Sequence, residues 1–246
     1  MSHHYIEFKN VCYSYPSGHQ ALKDVSFKIR HGEKVGLIGR NGAGKSTLLL
    51  QTNGLLMPTS GTVDVGGIVV GKKTLPLIRQ SVGMVFQNPE DQLFMPTVGE
   101  DVAFGPLNMN LPLEDVEKRV DMALEAVGCK KLKNTSTNQL SGGEKRRVAI
   151  ATVLSMTPSI LVLDEPTSNL DWVAREKLVE LVESFDHTCL ITSHDLGLVK
   201  SVCSRVLIMD DGRIIHDIST ARLFEDAAIL HHLGVDAKTM SLLYTG

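Results

Sequence analysis

Gly39 to Ser46 reads GRNGAGKS, which fills every fixed position of the pattern G-x-x-x-x-G-K-[ST]. Glycines carry no Cβ, so the backbone N–H groups of such a loop turn inward around an anion. The lysine sets a point charge between the outer phosphates of a nucleoside triphosphate, and the following hydroxyl suits Mg²⁺. The residues so implicated run from Gly39 through Arg40, Asn41, Gly42, Ala43 and Gly44 to Lys45, Ser46 and Thr47. Downstream, Asp164 and Glu165 close the apolar run in ILVLDEP. A carboxylate pair there offers one group to hold a cation and one to polarise water. Taken alone, it also describes an exposed acidic strand–loop junction. Between the two stands LSGGE, Leu140 to Glu144. Ser141, Gly142 and Gly143 precede the helical stretch GEKRRVAIATVLSM, a second arrangement of small residues and free N–H groups at a helix start. The plainer account of that motif is an ordinary helix cap.

These motifs need strands and helices to hold them. KVGLIG (Lys34 to Gly39) is an apolar run feeding the glycine turn, and KSTLLLQTNGL reads as a helix ending near Gly54. This strand–loop–helix order is what makes a phosphate-loop match credible. VSFKI (Val25 to Ile29) alternates as a half-buried strand does. Val116, Val120, Leu124 and Val127 recur at helical spacing inside a mostly helical lobe, from about Asn88 to Thr137. ILVLD, TCLITS and RVLIMD are continuous apolar runs, as in strands buried on both faces of a largely parallel sheet. After Ile215 the pattern predicts helix.

The chain has 246 residues, 43% hydrophobic and 22% charged, ordinary for a globular protein of one substantial domain. A net charge of −3 gives no electrostatic reason to expect nucleic acid. The four cysteines (12, 129, 189 and 203) form no C-x-x-C pair, so neither a zinc site nor a disulfide framework is expected. The N-terminus does not read as a signal peptide, and no apolar run reaches the roughly 18–20 residues needed to cross a membrane. His194 ends the next strand after the acid pair. The remaining histidines (3, 4, 19, 31, 187, 216, 231 and 232) carry no pattern, and His3 and His4 read as a frayed polar terminus rather than a metal-capturing pair.

The ordered set GRNGAGKS, LSGGE and ILVLDEP resembles the ATP-binding-cassette family over nearly the whole chain. The resemblance implies an α/β fold: a P-loop NTPase core with a mixed, largely parallel sheet, an antiparallel N-terminal β region and an inserted α-helical subdomain. It implies one cassette domain over 1–246, with the ATP-binding core at about 1–87 and 138–215, the helical lobe at about 88–137 and a helical tail at about 216–246. ATP and Mg²⁺ are the implied cofactors. Asp164 then holds Mg²⁺ through water, with Ser46 and Gln87 as further metal ligands. Glu165 polarises the attacking water, His194 hydrogen-bonds the γ-phosphate, and Gln87 touches the metal or the water. Tyr15 resembles the aromatic that stacks on adenine. It is preferred over Tyr13 because stacking needs the face turned toward the loop. One ATP does not need two cradles in one chain, so Ser141, Gly142 and Gly143 are expected to face an ATP held by a second copy, across a two-fold interface that SNLD (Ser168 to Asp171) crosses. Trp172 stands where the family commonly has proline.

QNPEDQLFMPTVGEDVAFGPLNMNL closely resembles the ATPases of energy-coupling-factor importers, above all the cobalt and nickel type. This implies a transmembrane coupling subunit, a solute-binding membrane subunit and a second cassette, more readily identical than paralogous. It places the chain peripherally at the cytoplasmic face of the cell membrane, and Phe94, Met95 and Pro96 in a groove for a partner helix. Vitamin importers share much of the segment. Cassette ATPases of DNA repair and chromosome organisation differ by a long coiled coil between the phosphate loop and LSGG, and no heptad run separates Lys45 from Ser141 here. Those of translation carry two cassettes in one chain.

Overall fold

The computed structural model describes residues 4–235. The chain opens on two antiparallel strands, β1 (Ile6–Ser14) and β2 (Gln20–Ile29). In β2, Val25, Phe27 and Ile29 are buried while Ser26 and Lys28 face out. A tight turn, with Gly32 at φ 75°, leads into β3 (Lys34–Ile38). The glycine-rich loop follows, then α1 (Lys45–Thr52), β4 (Ser60–Val65) and the short β5 (Ile68–Val69). Strands β2, β1, β4 and β5, in that order, make a four-stranded antiparallel sheet.

After α2 (Leu75–Ser81) and β6 (Val82–Val85), the chain builds its helical insert from α3 (Val98–Asn108) and α4 (Leu113–Ala126). A reciprocal capping box between Thr97 and Glu100 starts α3. The apolar stripe of α4 is buried, with Val116, Val120 and Leu124 all under 5% exposed. Helix α5 (Gly142–Leu154) returns the chain to the core, where β7 (Ile160–Asp164), α6 (Trp172–Ser184), β8 (Thr188–Thr192), α7 (Leu196–Val202) and β9 (Arg205–Asp210) alternate. The chain continues into β10 (Arg213–Ser219), α8 (Thr220–Glu225) and α9 (Ala227–His232).

The central sheet has six strands in the order β10-β9-β3-β8-β7-β6, parallel except for β10 at its edge. Both faces of the five parallel strands are buried, which is why those strands are nearly unbroken apolar runs, whereas the edge strand β10 is largely exposed. Ile160, Val162, Leu190, Leu207 and Met209 pack into one core shared with the antiparallel sheet through Ile6, Phe8 and Val63. Their neighbours Leu161, Leu163, Ile191, Val206 and Ile208 pack into a second core with the helices, including Val148, Leu178 and Leu198. The sheet is therefore clamped between two apolar layers, and truncating Leu161 (0% exposed) to alanine is expected to cost about 2–5 kcal/mol.

The expectation of helix from residue 216 needs correction. His216 to Ser219 extend β10, which pairs antiparallel with β9, and helix begins only at Thr220. Edge pairing decides a stretch whose own pattern is ambiguous. The last part of the expected tail, residues 236–246, lies outside the described residues.

Candidate nucleotide site

The ends of β3, β6, β7 and β8 open into one cleft of about 310 Å³. From the glycine-rich loop and α1 come Asn41, Gly42, Gly44, Lys45, Ser46 and Thr47; from the other segments come Tyr15, Gln87, Asp164, Glu165 and His194. Two glycines are required for different reasons. A Cβ on Gly39 would lie 2.1 Å from the Met209 carbonyl oxygen, so close packing excludes it. Gly44 has φ 104°, and a Cβ there would also strike the Ala21 carbonyl oxygen at 2.6 Å. Gly44 caps α1, so the first-turn N–H groups of that helix open toward the cleft. Gly39, Arg40 and Ala43 act through backbone. The Gly39 and Arg40 carbonyls accept bonds from Lys45 Nζ at 2.7 and 3.2 Å, and the Ala43 carbonyl accepts from Gly212 N at 3.0 Å. Burial draws the Lys45 ammonium below its ordinary range, opposed by the nearby Glu165 and Asp164 carboxylates.

Asp164 and Glu165 share the cleft because Glu165 adopts φ 47°, the left-handed region that non-glycine residues seldom enter. On a regular strand, neighbours point opposite ways; this kink turns both carboxylates to one side. Thr192 locks the pair. Its hydroxyl donates to Asp164 Oδ1 at 2.5 Å and accepts from Glu165 N at 3.0 Å. Glu165 is 6% exposed. Its Oε2 accepts the backbone N–H of His194 at 3.0 Å, while Oε1 is buried with no hydrogen-bond partner. His194 Nε2 lies 3.1 Å from Asn41 Oδ1 and 3.5 Å from Glu165 Oε1, between the loop and the acid pair.

Tyr15 lines the cleft, its hydroxyl 2.9 Å from Thr47 Oγ1. Tyr13 packs partly buried against the sheet core, edge-on to Tyr15 at 5.0 Å. Strand parity does not separate them, since residues two apart share a face. Register shifts around Tyr13 and the end of β1 at Ser14 do. His19, to which the sequence assigned nothing, also lines the cleft, nearly parallel to Tyr15 at 6.5 Å.

Arg146 is a further residue that sequence reasoning missed. It sits in KRR of α5, which reads as a charged surface run, yet it is 1% exposed. Its guanidinium donates to the carbonyls of Pro166, Phe86, Gln87, Asp164 and Glu165, so one side chain ties the Gln87 segment to the acid pair. Five donors in a plane are what that set of acceptors demands.

Ser141, Gly142, Gly143 and Asp171 do not line this cleft. Ser141 caps α5 in a reciprocal box with Glu144, its hydroxyl accepting Glu144 N at 3.4 Å. Asp171 caps α6, accepting Ala174 N at 2.8 Å. The two caps are adjacent, since a Cβ on Gly143 would sit 3.3 Å from the Asn169 carbonyl oxygen. Ser141 and Gly142 are exposed, as are Trp172 (72%) and Val173 (63%).

A glycine-loop cleft, an acid pair fixed by Thr192 and an exposed LSGG cap coincide with what comparison finds. The family described as ABC transporter matches residues 22–168. The chain belongs to that family. A putative ABC transporter ATP-binding protein of Geobacter sulfurreducens is 55% identical over 94% of this cassette and 92% of that protein. The energy-coupling factor transporter ATP-binding protein EcfA of Methanocaldococcus jannaschii is 48% identical, over 90% and 81%. Among solved structures, cbiO1 of Clostridium perfringens, part of the ABC transporter complex cbiONQ, matches with TM-score 0.80 at 36% identity, over 98% of both chains. A dimeric ATP-binding cassette bound to ADP and Pi matches with TM-score 0.81 at 31% identity, over 87% of this chain and 98% of that one. The cassette is thus an ATP-binding subunit of an energy-coupling-factor-like ABC transporter, in the class that couples ATP hydrolysis to transport. Among the described residues, no helix is long and apolar enough to cross a membrane.

Proposed function

We propose that this cassette powers import of a transition-metal ion, cobalt or nickel, as a homodimer lying peripherally beneath separate membrane subunits at the cytoplasmic face. Glu165 carries the hydrolytic part. Its buried Oε1 makes no hydrogen bond at the wall of the cleft and has only His194 Nε2 nearby, at 3.5 Å, which leaves it open to take a proton from the attacking water. Oε2, held by His194 N, keeps the carboxylate aimed. Lys45 and the loop N–H groups grip the phosphates, Tyr15 stacks on adenine, and His194 hydrogen-bonds the γ-phosphate. Ser46, Asp164 and Gln87 bring only oxygen donors suited to Mg²⁺, which when bound neutralises charge on the β- and γ-phosphates.

The exposed Ser141 and Gly142 are read as the cradle for ATP held by a second copy, with Asp171, Trp172 and Val173 at the same two-fold interface. The groove for the transmembrane coupling subunit is read beside the helical lobe. There Phe94 (63% exposed) meets Phe104 (42%) edge-on at 4.8 Å, with Leu55 (47%) close by. Met95 and Pro96, expected in that groove, do not line this pocket, and their carbonyls accept from Thr137 Oγ1 and N. The choice of a metal ion rests on the QNPEDQLF segment and the likeness to cbiO1.

Glu165→Gln is expected to trap an ATP-bound dimer on size-exclusion chromatography; a variant that stays monomeric with ATP refutes the shared site. With its membrane subunits in cells, the wild type is expected to drive uptake of labelled cobalt or nickel. ATP-driven uptake of a vitamin instead overturns the metal assignment.

A further inference from the structure

We infer that His4, His31 and His187 form a site for one first-row divalent cation of the kind imidazole binds: Zn²⁺, Ni²⁺, Co²⁺ or Cu²⁺. One ring nitrogen from each lies within 4.8 Å of the others. The ring centroids of His4 are 5.1 Å from His31 and 4.9 Å from His187, and those of His31 and His187 are 5.8 Å apart. The three residues come from separate segments: the approach to β1, the β2–β3 turn and the link from α6 to β8.

The backbone that carries them is tightly wired. Thr188, beside His187 and fully buried, donates its hydroxyl to the His4 carbonyl and accepts Gly32 N at 3.2 Å. Cys189 N reaches the Glu33 carbonyl at 3.0 Å. The cluster is thus a built corner of the fold. It lies at the N-terminal ends of β3 and β8, whereas the glycine-rich loop and His194 follow their C-terminal ends, so the length of a strand separates it from the nucleotide cleft.

The donor set selects the cation. Three imidazole nitrogens and no carboxylate favour borderline transition metals over Mg²⁺ or Ca²⁺, which take oxygen. Tetrahedral coordination with bonds of about 2.0–2.1 Å needs nitrogens about 3.4 Å apart, within reach of small side-chain rotations. Nδ1 of His187 is buried with no hydrogen-bond partner, a state that a metal bond relieves. His31 is exposed and leaves the fourth position open to water. A bound ion joins the start of the antiparallel sheet to the starts of two central strands. The site does not depend on which solute the transporter carries.

The test is titration of Zn²⁺, Ni²⁺ and Co²⁺ into the untagged, chelator-treated full chain by calorimetry and thermal unfolding, with Mg²⁺ as control. One equivalent is expected to bind at about micromolar Kd or tighter, raising Tm by about 5 °C at saturation. His31→Ala and His187→Gln are each expected to weaken binding about tenfold or more while leaving the metal-free Tm and ATP hydrolysis near wild type. Should His187→Gln fail to fold, the exposed His31→Ala carries the test. No saturable binding below about 100 µM, tested with the micromolar expectation above, overturns the site. So does binding that His31→Ala leaves unchanged, which assigns the cation elsewhere and leaves the three rings as packing alone.

Discussion

Replacing Arg146 is the sharpest test of how the site is held. Three of its five acceptors, the carbonyls of Pro166, Asp164 and Glu165, are bonded in buried positions. Those of Phe86 and Gln87 are partly buried, where water replaces a lost donor at small cost. Each buried carbonyl left bare costs about 1 kcal/mol or more, so Arg146→Met is expected to lose about 3–5 kcal/mol. Arg146→Lys keeps the charge but gathers its donors at one point instead of a plane, and is expected to lose about 2–3 kcal/mol. For a chain of 246 residues those losses lower Tm by about 4–20 °C. Urea and thermal unfolding without nucleotide, followed by circular dichroism, measure them, with the exposed Lys72→Ala as control. Arg146 touches backbone on both sides of the acid pair, so kcat is expected to fall about tenfold while KM for ATP moves little. If both variants stay within about 1 kcal/mol of wild type, the guanidinium is not what joins these segments.

Thr192→Val keeps the shape but removes the hydroxyl between Asp164 Oδ1 and Glu165 N. It is expected to cost about 1–3 kcal/mol and to lower kcat in steady-state ATPase assays; unchanged kcat would place the alignment of the pair elsewhere. Asp101, 2% exposed, receives the N–H groups of Phe94 and Met95 at 3.2 Å, yet burial holds its carboxyl above the ordinary range. The folded chain therefore keeps this proton to higher pH than the unfolded one, so the contribution of Asp101 to stability falls as pH rises through its folded value. Asp101→Asn is accordingly expected to gain on wild type between pH 4 and pH 7 in urea midpoints, whereas Asp101→Ala frees two N–H groups and loses about 1–3 kcal/mol at any pH. An Asp101→Asn variant that loses ground to wild type as pH rises over that range contradicts the sign.

What the sequence determined by itself is local. A glycine-rich loop needs only its own residues and the flanking strand and helix to cradle phosphate, so GRNGAGKS was legible. So were ILVLD, TCLITS and RVLIMD, because burial on both faces writes itself as an unbroken apolar run. The resemblance carried by LSGGE and QNPEDQLF reached the family. Tertiary structure decided what depends on contacts between distant segments. Arg146 looks like surface charge until α5 packs its guanidinium against carbonyls just after β6 and at the end of β7. Thr192 looks like one more strand residue until β8 lies beside β7 and its hydroxyl meets Asp164. The strand at His216 to Ser219 exists because β9 offers an edge. His4, His31 and His187 carry no spacing signal, since no periodicity relates three residues that meet only after two sheets have closed on each other. Side chains that repeat along one element leave a pattern in the sequence; side chains gathered from several elements leave one only in space.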